Sequence, residues 1–234
     1  MTACRLGVLA LGDSITNGGG ELQWGVALQS WALWVARGLG LPYTPHAADG
    51  ARVTDVLATQ VPAVAGERYD LGCLYIGVND VRALDWDRSA FERGHRAALT
   101  FLAGRCDRVL TATVPLDLGR PRAGAKVAEA NAAIEASARD AGALVLDLRR
   151  FGGRRVLMAD HVHPTALGQI AIAEAALDVL AADGVDVRVR PSGLIRYETT
   201  RFGRLRGDLT YGYRHAKVSA RAALAARLDR SRAA

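Results

Sequence analysis

Strand-length runs alternate with helix-length segments along most of this chain, and that alternation leaves few folds open to it. Residues 5–11 (RLGVLAL), 69–76 (YDLGCLYI), 107–114 (DRVLTATV) and 143–148 (ALVLDL) read as strands rich in apolar residues. Near-continuous apolar runs belong to strands buried on both faces, the condition of a parallel sheet. A weaker strand, 43–48 (YTPHAA), is broken by Pro45, which suits a sheet edge. Between the runs, residues 26–39 place Leu28, Trp31, Val35 and Leu39 three and four apart, the stripe of a half-buried helix. Further helices are predicted over 52–60, 88–103, 126–141 and 165–182, with Gly142 placed to cap the 126–141 helix and Pro164 to start the last. The expectation is an α/β chain: a five-stranded parallel sheet with helices on both faces.

At 234 residues the chain can bury one sizeable core and still carry an appendage. The charge shows where the division falls. Residues 185–234 hold 12 Lys and Arg against 4 Asp and Glu, while residues 1–184 hold 18 against 20. A domain over 1–184 and a basic C-terminal extension over 185–234, helical from about Ala216 to Leu228, are therefore expected. Cys4, Cys73 and Cys106 are unpaired in spacing and lie in or beside apolar runs, so they read as reduced thiols. The first apolar run is about six residues long and lacks a small-residue cleavage site, unlike a secretory leader. No stretch approaches the ~20 apolar residues of a membrane span. A cytoplasmic location is the expectation.

Ligands of parallel sheets bind beyond the carboxyl ends of the strands. At those ends this sequence places Gly12-Asp13-Ser14, Asp49-Gly50, Gly77-Val78-Asn79-Asp80 and, after the fifth strand, Asp160-His161-Val162-His163. Acyl transfer needs a nucleophile, a base, a group that orients the base, and donors for a developing oxyanion. Ser14 sits where a strand hands over to a turn and suits the first role, although a serine there also caps short helices. Asp160 and His163, three apart, can meet on one side of a turn, while the neighbouring His161 points elsewhere. His163 is then the candidate base and Asp160 its orienting partner. A histidine just ahead of a helix is also held neutral by the helix dipole. Asn79 offers a side-chain amide as an oxyanion donor, though Gly-x-Asn-Asp also makes an ordinary polar turn. Gly50 adds only a backbone N–H.

These blocks, in this order and spacing, resemble the SGNH (GDSL-type) hydrolase family over residues 5–183, with Ile15 where that family usually has leucine. The resemblance implies a three-layer α/β/α flavodoxin-like fold and cleavage of carboxylic esters, as an esterase, lipase, thioesterase or deacetylase. Carried over by position, it makes Ser14 the nucleophile, His163 the base and Asp160 its orienter. Ser14 N–H, Gly50 N–H and the Asn79 side chain form the oxyanion hole, and Asp13 and Asp80 hold the turns behind them. No metal or other cofactor is implied, and the partner is a small-molecule ester or acylated substrate.

Three rivals stand beside that reading. Transfer of the acyl group to an acceptor other than water uses the same machinery. A divalent metal on Asp160, His161 and His163, aided by His46, Asp49 or His95, is a different chemistry. A non-catalytic binding protein with a hydrolase shell is the third. In the tail, arginines alternate with Tyr197, Phe202, Tyr211 and Tyr213, interrupted by Glu198, Asp208 and Asp229. That pattern favours packing on its own domain or on a second subunit over nucleic acid or an anionic membrane. For the substrate pocket, Trp24, Leu84, Trp86 and Leu116 are the apolar candidates and Arg82, Arg120 and Arg122 the anion-binding ones, with Gly18, Gly19 and Gly20 as a mobile wall.

Overall fold

The computed structural model describes residues 5–196 and 200–233, with side chains of the last helix through residue 225. Cys4, Tyr197 and Glu198, and the side chain of Asp229, lie outside the described residues.

Strand β1 (Val8–Gly12) is buried throughout and runs into the single turn α1 (Ser14–Asn17). Helix α2 (Trp31–Leu39) starts five residues later than the apolar spacing predicts. Ser30 ends the loop: its hydroxyl accepts from Ala32 N–H at 3.1 Å and donates to Thr16 O at 2.6 Å. The cap stops the helix from extending backward, and Val26 is buried from the loop instead. Edge strand β2 (Tyr43–Pro45) precedes α3 (Val53–Asp55), which continues through a π turn (Val56–Gln60) into α4 (Val61–Ala63). Then come β3 (Tyr69–Tyr75), α5 (Val78–Arg82), α6 (Arg88–Ala103), β4 (Cys106–Ala112) and α7 (Ala125–Ala141). Gly142 closes α7 in the left-handed conformation, as expected. Strand β5 (Leu144–Leu146) leads to α8 (Ala166–Ala182). Thr165, not Pro164, begins that helix: its hydroxyl accepts from Gly168 N–H at 3.1 Å, and Pro164 is left outside, paired with Leu157.

All strands are parallel, in the order β2-β1-β3-β4-β5. Helices α2 and α8 pack together on one face, and α6 and α7 on the other. Between them Trp31, Tyr69, Tyr75, Leu9 and Leu110 are fully buried, and the thiols of Cys73 and Cys106 are free. In this strand order the chain reverses direction between β1 and β3, and the crevice at their carboxyl ends is where such sheets bind ligands. Ser14 follows β1 and Asn79 follows β3, so both open onto that crevice.

After α8 the chain returns along α2, with Arg188 and Val189 N–H both donating to Gly38 O. A turn at Pro191–Leu194 precedes α9 (Arg201–Ala233), much longer than the predicted 216–228. Gly203, Gly207 and Gly212 argue against a helix on propensity alone, but at Gly207 a Cβ would approach Trp24 Nε1 to 3.4 Å. Tertiary packing outweighs propensity here: Arg214 pairs with Glu21 at 2.6 Å and Arg154 with Asp208 at 3.1 Å. No helix among the described residues is long and apolar enough to cross a membrane.

Candidate active site

Ser14 is the first residue of α1, and its Oγ lies 3.0 Å from Nε2 of His163. The other ring nitrogen, Nδ1, is 2.7 Å from Asp160 Oδ2. Asp160 Oδ1 accepts the N–H groups of Val162 and His163 at 2.9 and 3.1 Å, so the loop winds around its own carboxylate. A proton on Nδ1 directed at Asp160 leaves the Nε2 lone pair facing the Ser14 hydroxyl.

The electrostatics follow from this chain of contacts. Burial pushes Asp160 upward, but hydrogen bonds from the His163 ring and from two amides outweigh it and hold the carboxyl below its ordinary value. The bond to Asp160 raises His163 above the ordinary imidazole value, against burial and the charge of Arg82. The sequence pattern predicted a helix dipole that keeps this ring neutral. The Asp160 carboxylate, bonded to the ring at 2.7 Å, outweighs that influence.

Asn79, in the first turn of α5, donates from Nδ2 to Ala51 O at 3.0 Å. Its neighbour Asp80 accepts Val53 N–H at 3.1 Å, so both residues tie the end of β3 to the loop that carries Gly50. Asp13 is fully buried and its Oδ1 caps α1 through Ile15 N–H at 2.9 Å. Burial raises both carboxyls, that of Asp13 to about 7. Ser14, Gly50, Asn79 and His163 line one cleft of about 420 Å³, whose other walls include Gly20, Asp49 and Met158.

None of the side chains expected to shape the pocket lines this cleft. Trp24 lies under α9, Leu84 is fully exposed, Trp86 donates to Glu129, and Arg120 and Arg122 pair with Asp117. Met158 takes the place assigned to them, without a signal in the sequence. The glycine wall is not loose either: at Gly20, with φ +146°, a Cβ would fall 2.0 Å from Pro164 O. Gly20 is there so that the 18–21 loop can lie against the His163 loop. Two buried amides were also missed. Gln60 holds Gly12, and Gln169 accepts from Trp31 N–H at 2.8 Å while donating to Ile15 O at 2.9 Å. Gln169 did leave a trace, as a lone polar side chain among the apolar residues of ALGQIAIA.

The ligands of the metal reading are dispersed. His161, in a left-handed conformation with φ 56°, turns away to Arg120, Asp117 and His215. His95 is buried in α6 beside Thr111, and desolvation pushes it down to about 3. Among the described residues no three His, Cys, Asp or Glu side chains are grouped to hold an ion.

Comparison with known proteins identifies the family. No curated protein sequence matches the chain. Several solved structures share its fold. LAE5, an alpha/beta hydrolase enzyme from the metagenome of Lake Arreo, Spain, is 21% identical with a TM-score of 0.62, over 76% of this chain and 96% of that one. Axe2, an acetylxylan esterase from Geobacillus stearothermophilus, is 20% identical with a TM-score of 0.61, over 76% and 96%. A catalytic mutant of Axe2 gives 0.64 at 20% identity, over 80% and 99%. At such identities the likeness speaks for the fold. The model of the GDSL-like Lipase/Acylhydrolase family matches residues 10–171, from β1 into α8, and on that match the chain belongs to this family and is an ester hydrolase.

Proposed function

We propose that the protein cleaves esters of short acyl groups through an acyl-enzyme on Ser14. The observation that carries this reading is the unbroken chain Ser14 Oγ, His163 Nε2, His163 Nδ1, Asp160 Oδ2, with links of 3.0 and 2.7 Å. His163 Nε2 takes the hydroxyl proton as Ser14 Oγ bonds to the substrate carbonyl carbon. The carbonyl oxygen becomes an oxyanion, received by the N–H groups of Ser14 and Gly50 and by the Asn79 amide. The imidazolium, steadied by Asp160, gives its proton to the leaving alcohol as the ester bond breaks. Water then enters, loses a proton to His163, and releases the acid while Ser14 regains its hydrogen.

Two features support hydrolysis of a small acyl group. The cleft at Ser14 is small, about 420 Å³, which suits a short acyl group beside the serine. Asp49 and Gly50 at its rim are exposed, so water reaches the carbonyl. In Axe2, the acetylxylan esterase, the known catalytic mutants change a serine, an aspartate and a histidine three positions beyond that aspartate. Asp160 and His163 have the same separation. The test is a fluorophosphonate probe followed by peptide mass spectrometry, with aryl esters from acetate to octanoate in parallel. Labelling of Ser14 and fastest turnover of the shortest esters are expected; labelling elsewhere, with hydrolysis intact, sinks the mechanism.

A further inference from the structure

Helix α9 meets its own domain with one side only. Gly207, Tyr211, Arg214 and His215 face the loops at 21–24 and 154–161. On the other side stand Phe202, Leu205, Leu209, Tyr213 and Leu224, with exposures of 74, 56, 66, 69 and 59%. At 100° per residue they project in one direction, with Ala216 and Ala220 filling the gap before Leu224. The result is an apolar stripe about 33 Å long that nothing in the chain covers among the described residues.

The charges beside the stripe indicate what covers it. Helix α9 carries nine Lys and Arg against two Asp. Arg214 is engaged by Glu21 and Asp208 by Arg154, whereas Arg206, Lys217 and Arg221 along one margin have no acidic partner among the described residues. A second copy placed on the stripe would bring two strongly positive helices together. Nucleic acid would answer the cations but not the exposed leucines. An anionic bilayer answers both, taking the apolar side chains at the boundary of headgroups and acyl chains and the cations among the headgroups.

We propose that α9 docks the enzyme on anionic membrane surfaces, lying flat with Phe202, Leu205, Leu209 and Tyr213 in the interface. This docking does not depend on the catalytic reading. Flotation of the full chain with phosphatidylcholine vesicles, with and without phosphatidylglycerol, is the test. Binding roughly tenfold stronger to the anionic vesicles, and weaker in high salt, is expected. Leu205→Glu with Leu209→Glu should abolish flotation, and Arg206→Glu with Lys217→Glu should abolish the preference for anionic lipid. Both double variants should hydrolyse an aryl acetate like the wild type, which shows that they fold, and Ser14→Ala should float unchanged. Equal binding to neutral vesicles, no flotation, or an unaffected leucine variant overturns the proposal. So does a dimer in sedimentation that the leucine variant dissolves while vesicles go unbound, or retention of DNA without flotation.

Discussion

The Gln60 side chain closes on both polar groups of the Gly12 backbone, Oε1 accepting from Gly12 N–H at 2.9 Å and Nε2 donating to Gly12 O at 2.9 Å. Gly12 ends β1 two residues before Ser14. Strand β2 pairs with β1 only as far as Ala10, opposite Pro45; past that point Ala48 N–H still donates to Gly12 O at 3.1 Å, but among the described residues no backbone carbonyl meets the Gly12 N–H. Gln60, from the end of the π turn, supplies the missing pairing with one side chain.

Gln60→Leu would therefore leave the Gly12 N–H buried without a partner. Such a group costs about 1–3 kcal/mol, to be read as a loss of stability in urea. The same change loosens the turn that aims Ser14. Turnover of an aryl acetate should fall roughly ten- to a hundredfold with little change in KM, because misplacement acts on the reacting geometry and not on ground-state binding. Wild-type kcat in a destabilised Gln60→Leu would separate the fold from the site and refute the positioning role.

The Asn79 amide already spends one hydrogen on Ala51 O. That bond fixes the side chain before substrate arrives and leaves the second hydrogen for an oxyanion. Asn79→Ala should lower kcat about 10²- to 10³-fold. Asn79→Asp should be worse still, since a carboxylate faces both the Ala51 carbonyl and the developing negative charge. Ser14→Ala should lose nearly all turnover. An Asp variant more active than the Ala variant would remove Asn79 from the oxyanion hole.

On the proposed mechanism the base must be neutral to accept the Ser14 proton, and His163 is held above its ordinary value of 6.5 by the bond to Asp160. The rate constant kcat/KM should rise with pH, with a midpoint above 6.5, and then level off. Asp160→Asn removes the charge that favours the imidazolium, so the midpoint moves to lower pH. The plateau falls at the same time, by about 10⁴-fold where the wrong tautomer results. A pH profile whose midpoint stays put in Asp160→Asn would break the link between these residues.

Sequence pattern was a good guide to strands and to residues at their carboxyl ends, and a poor one to loops and tail. Ser14, Gly50, Asn79 and His163 share a cleft because strand ends in a parallel sheet share an edge, and that follows from the alternation alone. The start of α2 and the role of Gln60 were hidden for the same reason: each depends on a contact with a distant segment, Ser30 with Thr16 and Gln60 with Gly12. A glutamine in a helix looks solvated until the partner is known. The length of α9 was hidden because three glycines lower its propensity, and only the Trp24 and Glu21 contacts show why the chain accepts that cost.

Asp13 offers a test of how the site is built, because its carboxyl is buried, uses one oxygen to cap Ile15 and leaves Oδ2 without a partner. Burial pushes it up to about 7, well above the ~3.9 of an unfolded aspartate. The folded state then binds the proton more tightly than the unfolded state. From pH ~4 upward the unfolded chain ionises first, so stability from this group falls with rising pH until the folded carboxyl also ionises near 7. At ~1.4 kcal/mol per unit, the loss is a few kcal/mol by pH 8. Asp13→Asn keeps the cap and cannot ionise, so its stability should match wild type near pH 4, exceed it increasingly up to about pH 7 and then by a steady margin. Asp13→Ala, which loses the cap, should show the same pH trend offset by about 1 kcal/mol. Asp13 also raises His163 through its charge, so the midpoint of kcat/KM should shift down in Asp13→Asn. Urea midpoints at several pH values decide the matter: parallel curves for wild type and Asp13→Asn would mean that this carboxyl does not titrate between 4 and 8.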